Sequence, residues 1–215
     1  MASRAPIVEK SAGRDADGVD ASTPVRFDLA RRTVVAVPFR YATFEQCLPA
    51  PASDAILRWL ETTAPWNHVQ TDFYEQHEFS CWESTDPTAA MLTSDELVSE
   101  LHSELTAVFG RELKPDATVV AHRLTPGHRI GIHNDHLEHG ETHRFVIQLN
   151  RGLADADGGM FMLFNSENPA DVHNILRPTS GSGFAFEISP SSYHAISQMH
   201  SNVRYSIVYS FFAAA

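Results

Sequence analysis

The sequence predicts an α+β chain in which helices come first and a closed or double-sheet β structure, such as a jelly roll, follows. Apolar residues at helical spacing lie before residue 110, whereas later apolar runs are short and rich in β-branched and aromatic residues. Clusters of glycine, proline, serine and aspartate separate several of these later runs, as turns between strands do. Short strands that follow a helical half are typical of this class.

The length of 215 residues fits one sizeable domain and is too short for two ordinary ones. Residues 1–24 are rich in Ala, Ser, Asp and Gly and have no apolar periodicity. Such a segment cannot bury enough apolar surface to offset the entropy of ordering. We therefore expect a disordered tail over 1–24 and one domain over 25–215.

Composition excludes several function classes. The formal net charge of -11, with no run of lysine or arginine, argues against nucleic acid as a partner. No apolar run reaches the roughly 18 residues that a membrane helix needs, and the start does not resemble a secretion signal. The two cysteines lack the close spacing of a zinc or redox motif and fit a reducing compartment. We expect a cytoplasmic protein, and the sequence leaves its oligomeric state open.

The first half contains one predicted strand and two predicted helices. The run TVVAVPF (33–39) is short and β-branched, which favours a strand. Ser53 and Asp54 are candidate caps for a helix whose apolar residues share one face, and Thr93 with Glu96 forms a possible capping box for a second helix that ends at Gly110.

Five strand-like runs make up the second half, at 118–124, 144–150, 160–164, 183–188 and 203–212. Two connections are long or unusual enough to be walls of a site. The aromatic and polar segment 67–84 fits either a lid over a site or an edge strand, and segment 164–178 is a second candidate loop.

The stretch GHRIGIHNDHLEHGETHR (127–144) holds five of the twelve histidines. On a strand, side chains two apart point to the same face, so His133 and Asp135 converge while Asn134 points away. One imidazole and one carboxylate are two thirds of the 2-His-1-carboxylate set that binds Fe(II) and leaves coordination positions open. His194, which follows a strand and a short turn, is the candidate for the third ligand.

Arg204 lies ten positions after His194, on the strand-like run VRYSIVYSFF. Arg204 and Ser206 share one face of that strand. A guanidinium fork and a hydroxyl on one face suit a carboxylate ligand.

Together, the H-x-D pair, the distal histidine, the R-x-S pair and the text LTPGHRIGIHND resemble the iron(II)- and 2-oxoglutarate-dependent oxygenases, in particular the small prolyl-hydroxylase-like members. The resemblance covers residues 118–212. It implies a distorted double-stranded β-helix in which His133, Asp135 and His194 bind Fe(II). It also implies that Arg204, with Ser206, holds the far carboxylate of 2-oxoglutarate, and that O2 is the second cosubstrate.

The resemblance further implies oxidation of an unactivated C–H bond with release of succinate and CO2. Because related halogenases have a small residue at the carboxylate position, Asp135 favours hydroxylation. We expect a small-molecule substrate, such as an amino acid or a specialised metabolite, with a peptide or carrier-bound residue as the alternative. Candidate substrate contacts are His136 and Tyr74.

One departure from the family pattern concerns Leu124, because many prolyl-hydroxylase-like members have a tyrosine there that contacts 2-oxoglutarate. The sequence leaves open whether His122, Arg123 or Gln148 replaces that contact. The other histidines of the region, His128 and His143, are expected in loops or behind the ligands.

Three alternatives remain at the level of sequence. A cupin-type binding protein without turnover explains the strands and histidines but not the placement of Arg204. A zinc hydrolase would need a water-activating carboxylate beside its metal. A zincin motif read from HGETH (139–143) has Gly140 in place of the glutamate, which disfavours the required helix. The arginines Arg129, Arg144 and Arg151 are interpreted as solvated charges.

Overall fold

The computed structural model describes residues 25–214, so the tail expected over 1–24 lies outside the described residues. Over the described range the chain forms three α-helices and twelve strands. The helices are α1 (Ala50–Thr62), α2 (Pro87–Leu92) and α3 (Asp95–Phe109). The strands before residue 125 are β1 (Arg32–Val35), β2 (Tyr41–Phe44), β3 (Asn67–Gln70), β4 (Tyr74–Ser80) and β5 (Leu113–Leu124).

The later strands are β6 (Arg129–His133), β7 (His143–Leu149), β8 (Phe161–Phe164), β9 (Val172–Leu176), β10 (Gly183–Glu187), β11 (His194–Ile196) and β12 (Arg204–Ala213). Their order is β1-β2-β10-β7-β12-β5-β4-β6-β11-β8-β9, and β3 pairs with β4. All the pairs are antiparallel. A curled antiparallel sheet of this kind confirms the expected jelly-roll class, a double-stranded β-helix.

Alternation along β12 separates the two sides of the sheet. Tyr205, Ile207 and Tyr209 face the side covered by the helices and belong to the larger apolar cluster. Arg204 and Ser206 face the opposite side, inside the curl of the sheet. The helices contribute their apolar faces to the larger cluster, as the sequence pattern predicts, through Ile56, Leu57, Leu60, Leu97, Val98, Leu101, Leu105, Val108 and Phe109.

A second apolar cluster fills part of the inside of the curl. Leu124 of β5, Phe161 and Leu163 of β8, and Phe184 and Phe186 of β10 are among its members. The rings of Phe161 and Phe184 lie 4.6 Å apart, centroid to centroid. This cluster closes one part of the interior and leaves a small polar cavity beside it.

The predicted helix starts were wrong by one to four residues. Helix α1 begins at Ala50 behind Pro49, and Ser53 is buried within its first turns instead of capping it. Helix α3 is capped by the Ser94 side chain, which accepts from the backbone N–H of Leu97, whereas Thr93 ends α2. Gly110 ends α3 in the left-handed conformation, as expected. The short α2 was not predicted.

Both segments considered as possible walls of a site contain strands. Residues 67–84 form the β3–β4 hairpin and a 3-10 turn at Cys81–Glu83, which agrees with the edge-strand interpretation. Segment 164–178 contains β9. The predicted strand at 33–39 ends at Val35, and a second strand, β2, follows Pro38. Within residues 25–214 no helix has both the length and the apolarity to span a membrane.

Cys47 and Cys81 are both buried as free thiols. Burial raises the pKa of each thiol to about 12. A thiol with so high a pKa stays protonated and unreactive at neutral pH. The structure therefore favours a role in apolar packing for these two cysteines.

Candidate functional site

His133 ends β6 and His194 begins β11, and the two strands are antiparallel neighbours in which these histidines face each other. The pairing is irregular, because Ile130 to His133 on β6 spans the same interval as Ile196 to His194 on β11. The extra residue in β6 is a β-bulge. It lets both Ile130 and His133 line the interior cavity, although three positions on a regular strand would put them on opposite faces.

His133, Asp135 and His194 are brought together with their ligand atoms within 4.8 Å of one another. The Nε2 atom of His133 lies 3.3 Å from Oδ1 of Asp135, and the Nε2 atom of His194 lies 3.1 Å from its Oδ2. Donors in adjacent positions around one octahedral ion lie about 3 Å apart when each is about 2.1 Å from the metal. The donor set and its spacing fit a divalent iron.

Backbone carbonyls fix the orientation of both imidazoles. The Nδ1 atom of His133 lies 2.9 Å from the carbonyl oxygen of Gly131, and the Nδ1 atom of His194 lies 2.8 Å from that of Ser192. A carbonyl oxygen only accepts, so each Nδ1 carries the proton and each Nε2 presents a lone pair. Both rings are therefore held in the tautomer that binds a metal through Nε2.

Asp135 reaches this position by a turn and not by strand alternation. Strand β6 ends at His133, and Asp135 has a φ of 58°, in the left-handed region. The side chain of Asn134 supports the turn, because its Oδ1 accepts from the backbone N–H of His136 and its Nδ2 donates to the carbonyl of Pro190. The predicted convergence of His133 and Asp135 is seen, but the physical reason given for it was wrong.

Arg144 of β7 binds the same carboxylate. Its Nη1 donates to Oδ2 of Asp135 at 2.6 Å, and its Nη2 donates to Oε2 of Glu141 at 2.6 Å. The expectation of a solvated charge is thus wrong for Arg144, whose side chain is largely buried. Burial alone would raise the pKa of Asp135, but its close contacts with the His133 and His194 rings and the charge of Arg144 outweigh burial and hold that pKa well below its usual range.

Arg204 of β12 is a buried cation in the same cavity. Its Nη2 donates to Oε1 of Gln148 at 2.8 Å, while its Nε is buried and has no hydrogen-bond partner among residues 25–214. No carboxylate within the described part of the chain forms a salt bridge with it. Burial lowers the pKa of its guanidinium to about 10, so the group is still charged at neutral pH.

A small cavity joins Arg204 to the histidines. Its polar lining comes from His122, His133, Arg144, His194, Arg204 and Ser206, and its apolar lining from Ile130, Val146, Phe161, Phe186, Ile196 and Val208. An unpaired buried cation is costly unless an anion arrives to pair with it. An anionic ligand that also reaches the three ligand atoms therefore fits this cavity.

Leu124 is fully buried in the second apolar cluster, where it pairs across the strands with Arg204. Apolar packing therefore occupies the place where many family members have a tyrosine. Of the three candidates to replace the tyrosine contact, Arg123 is disfavoured. Its guanidinium stacks over Trp66 on the helix-covered side of the sheet, 4.9 Å from the ring centroid. Gln148 binds Arg204. His122 lines the cavity, and burial followed by the charges of Arg144 and Arg204 lowers its pKa to about 3, so it is a neutral hydrogen-bonding group.

The two candidate substrate contacts lie in different settings. Tyr74 is half-buried on β4, and its ring packs against Phe73 with 4.9 Å between centroids. The Phe73 ring in turn lies 5.5 Å from that of His133. His136 is exposed on the turn that follows Asp135. The hairpin β3–β4 thus brings Phe73 and its neighbour Tyr74 beside the ligand triad.

The remaining histidines of the 127–144 stretch are spread over different environments. His143 is fully buried on the helix-covered side of β7, where its ring packs against Phe109, whereas His139 is exposed on a turn. They do not share a helix, so the zincin interpretation of HGETH is wrong. His128 is buried in the turn between β5 and β6, away from the cavity.

Two features of the site were not predicted from sequence. The first is the contact of Arg144 with Asp135, which joins two residues separated by a turn whose shape the sequence does not define. Gly159 has a φ of 70°, and a Cβ there would lie 2.5 Å from Sδ of Met199 and 3.1 Å from Cδ of Arg204. Only glycine allows this close approach beside Arg204, and the adjacent pair Gly158–Gly159 was the signal that could have pointed to it.

Comparison with known proteins agrees with this geometry. Residues 119–212 match the family model of the 2OG-Fe(II) oxygenase superfamily. No curated protein matches the chain in sequence. Among solved structures, a prolyl-4-hydroxylase of Pseudomonas putida is similar, with a TM-score of 0.66, 16% identity and coverage of 81% of this chain and 93% of that one.

Two further structures share the fold. A prolyl hydroxylase from Trichoplax adhaerens, solved with a peptide fragment of a hypoxia inducible factor, has a TM-score of 0.63, with 14% identity over 80% of this chain and 83% of that one. A 2OG-Fe(II) oxygenase family oxidoreductase from Burkholderia pseudomallei has a TM-score of 0.58, with 17% identity over 80% of this chain and 85% of that one.

Proposed function

We propose that this chain is an Fe(II)- and 2-oxoglutarate-dependent dioxygenase of the 2OG-Fe(II) oxygenase superfamily and that it hydroxylates an unactivated C–H bond. The observation that carries the proposal is the buried charge of Arg204. It faces the same cavity as His133, Asp135 and His194, and no carboxylate of the described chain pairs with it. A dicarboxylate that chelates a metal at one end supplies the missing anion at the other.

The roles of the chain's residues follow from their contacts. His133 and His194 would bind the iron through Nε2, because Nδ1 of each is occupied by a backbone carbonyl. Asp135 would provide the third ligand, with Arg144 fixing its orientation. Arg204 and Ser206 would bind the far carboxylate of 2-oxoglutarate, and His122 would supply the neutral hydrogen bond that a tyrosine gives elsewhere in the family.

When bound, iron and 2-oxoglutarate together supply the activation of O2 that replaces a substrate C–H bond by C–OH and converts 2-oxoglutarate to succinate and CO2. The protein contributes orientation and a dry environment. The apolar lining of Ile130, Val146, Phe161, Ile196 and Val208 excludes water around the bound groups. A dry cavity also strengthens the pairing of Arg204 with a carboxylate.

The substrate we favour is a small molecule, such as an amino acid or a specialised metabolite. Phe73 and Tyr74 form one wall beside His133, and we propose Tyr74 and His136 as contacts to the substrate. A peptide or carrier-bound residue is a second candidate. It is supported by the fold similarity to prolyl hydroxylases, one of which was solved with a bound peptide, and by the exposed apolar side chains of Phe73 and Leu137 near the triad.

Anaerobic titration tests the cosubstrate assignment directly. Fe(II) followed by 2-oxoglutarate should give a weak visible charge-transfer band that needs both additions, and the variant His194→Ala should lose it. Metal binding without any band after 2-oxoglutarate would refute the oxygenase and favour a cupin-type binder. Succinate release in the presence of free amino acids or of peptides, together with a product mass increased by one oxygen atom, then distinguishes the two substrate classes.

A further inference from the structure

A second cluster of metal-binding side chains lies outside the catalytic cavity. His68 on β3, Glu75 on β4 and His128 in the turn between β5 and β6 have ligand atoms within 4.8 Å of one another, and the ring of His77 on β4 lies beside them; we call these four residues the hairpin cluster. The ring centroids of His68 and His77 are 5.1 Å apart, those of His77 and His128 are 5.1 Å apart, and those of His68 and His128 are 5.8 Å apart. Three imidazoles and one carboxylate therefore share one small volume.

The hairpin cluster is on the opposite face of β4 from the cavity. Side chains alternate along a strand, so Glu75 and His77 point to one side and Gln76 and Glu78 to the other. Glu78 lies opposite His122, which lines the cavity. The hairpin cluster therefore cannot be part of the site built from His133, Asp135 and His194.

Charge balance in the hairpin cluster favours a metal ion over protons. One carboxylate, Glu75, can compensate one protonated imidazole, whereas protonating the others would place like charges about 5 Å apart. Arg123, the cross-strand neighbour of His77, adds a further positive charge, but its guanidinium stacks on Trp66 and offers no metal-binding atom. A bound divalent ion would use imidazole lone pairs and would need no second proton.

Distances between the donor atoms fit a single small ion. The Nε2 atom of His68 lies 3.0 Å from Oε1 of Glu75, and the Nε2 atom of His128 lies 3.6 Å from the same oxygen. Ligands about 2.1 Å from a tetrahedral zinc ion lie about 3.4 Å from one another. The two observed separations lie on either side of that value.

We propose that His68, Glu75 and His128 bind a first-row divalent metal ion of the zinc type, independently of the catalytic iron. Two imidazoles and a carboxylate are a common zinc donor set, with a fourth position left for water or for His77. His68 and Glu75 are partly exposed, so an ion can enter from solvent. His128 is buried and would bind the ion from the interior side of the site.

A metal at this place would tie two parts of the chain that approach the catalytic site. Strand β3 pairs only with β4 among the described strands, so β3 is an edge of the sheet. His128 directly precedes β6, which carries His133, and Glu75 directly follows Tyr74 on the proposed substrate wall. The ion would fix the wall relative to the strand that holds the first catalytic ligand.

Metal counting tests the proposal without relying on turnover. Purified apo-protein is dialysed against Zn(II) or Co(II), and the bound metal is measured per chain in five forms: wild type, His68→Ala, Glu75→Gln, the double variant Asp135→Ala/His194→Ala, and the control His139→Ala. His139 is exposed and lies outside both sites, so its variant matches the loss of one histidine. Circular dichroism checks that each form is folded.

We expect two ions in wild type and in the control, one in the double variant, and one in His68→Ala and in Glu75→Gln. In the double variant, Zn(II) at about 100-fold its dissociation constant should raise the unfolding midpoint by about 5–10 °C. Adding His68→Ala to that variant should abolish the rise. Two ions in His68→Ala, or one ion in wild type and none in the double variant, would overturn the proposal. One ion in both wild type and the double variant would instead count against the catalytic site.

Discussion

The substitution Arg204→Met gives the sharpest test of the cavity, because it removes the charge and keeps most of the volume. In the ligand-free protein the guanidinium has one side-chain partner, Gln148, and its Nε is unpaired within the described residues. We therefore expect the variant to lose affinity for 2-oxoglutarate while its metal site stays intact. The proposed metal ligands lie on β6, β11 and the turn after β6, whereas Arg204 lies on β12.

The size of the effect follows from burial. Removing one partner of a buried, hydrogen-bonded charge pair costs about 2–5 kcal/mol, which corresponds to a loss of affinity between about 30-fold and several thousand-fold. The stability of the ligand-free protein should respond differently. Methionine removes an uncompensated buried charge, which is favourable, and leaves Oε1 of Gln148 without its donor, which costs about 1–3 kcal/mol. We expect the free energy of unfolding to change by less than about 2 kcal/mol.

Anaerobic titration with Fe(II) and 2-oxoglutarate, followed by the charge-transfer band or by calorimetry, measures the affinity, and urea unfolding measures the stability. Arg151→Met is the matched control, since Arg151 is exposed and pairs with Glu61 on the surface. Unchanged 2-oxoglutarate affinity in Arg204→Met would refute the assignment. A loss of about 3–5 kcal/mol in ligand-free stability would show instead that a partner already neutralises the charge.

Three further predictions address the surroundings of the site. Arg144→Met should weaken Fe(II) binding by about 10- to 100-fold in a metal titration, because the carboxylate of Asp135 loses its orienting donor; Arg144→Lys should recover part of the loss, and equal affinities in all forms would contradict this role. Gly159→Ala should weaken 2-oxoglutarate binding more than Fe(II) binding in the same titrations, because its Cβ would press on Cδ of Arg204; a variant with unchanged affinity would show that the neighbours move aside freely. Burial lowers the pKa of His143 to about 4, so between about pH 6.5 and pH 4 the unfolded state binds a proton at this histidine and the folded state does not. The free energy of unfolding therefore keeps the full contribution of His143 above about pH 6.5 and loses it as pH falls towards 4, by about 3 kcal/mol in all. Urea unfolding at pH 7 and pH 5 should therefore show a smaller loss for His143→Leu than for wild type, and equal losses would show that His143 is not the group responsible.

The two histidines of the candidate metal site were predictable because the sequence places recognisable chemistry at the ends of strands. His133 and His194 stand at such ends, and Arg204 begins a long apolar run whose alternation puts it on the same face as Ser206. These relations depend on local spacing, which a sequence displays. The class of fold was predictable for the same reason, since six of the twelve strands contain short apolar runs that the sequence displays.

What sequence reasoning missed depends on turns and on contacts between distant segments. The position of Asp135 comes from a left-handed residue after β6; Asn134 and Asp135 are turn-prone residues, but the letters I-H-N-D do not define the shape of the turn. Strand β11 is only three residues long, too short to show a period. His68 and His128 approach each other only because the β3–β4 hairpin packs beside the β5–β6 turn.

The place of β12 in the sheet bears on how the protein acquires its metal. Although it is the last strand in chain order, it lies at the centre of the sheet, between β7 and β5. During synthesis, the walls of the cavity cannot close until β12 has left the ribosome, and His133 cannot pair with His194 until β11 has been made. Pairings between segments so far apart form late, since closing long loops is entropically costly. Under the proposed function, iron and 2-oxoglutarate would therefore bind only after β12 has joined the sheet.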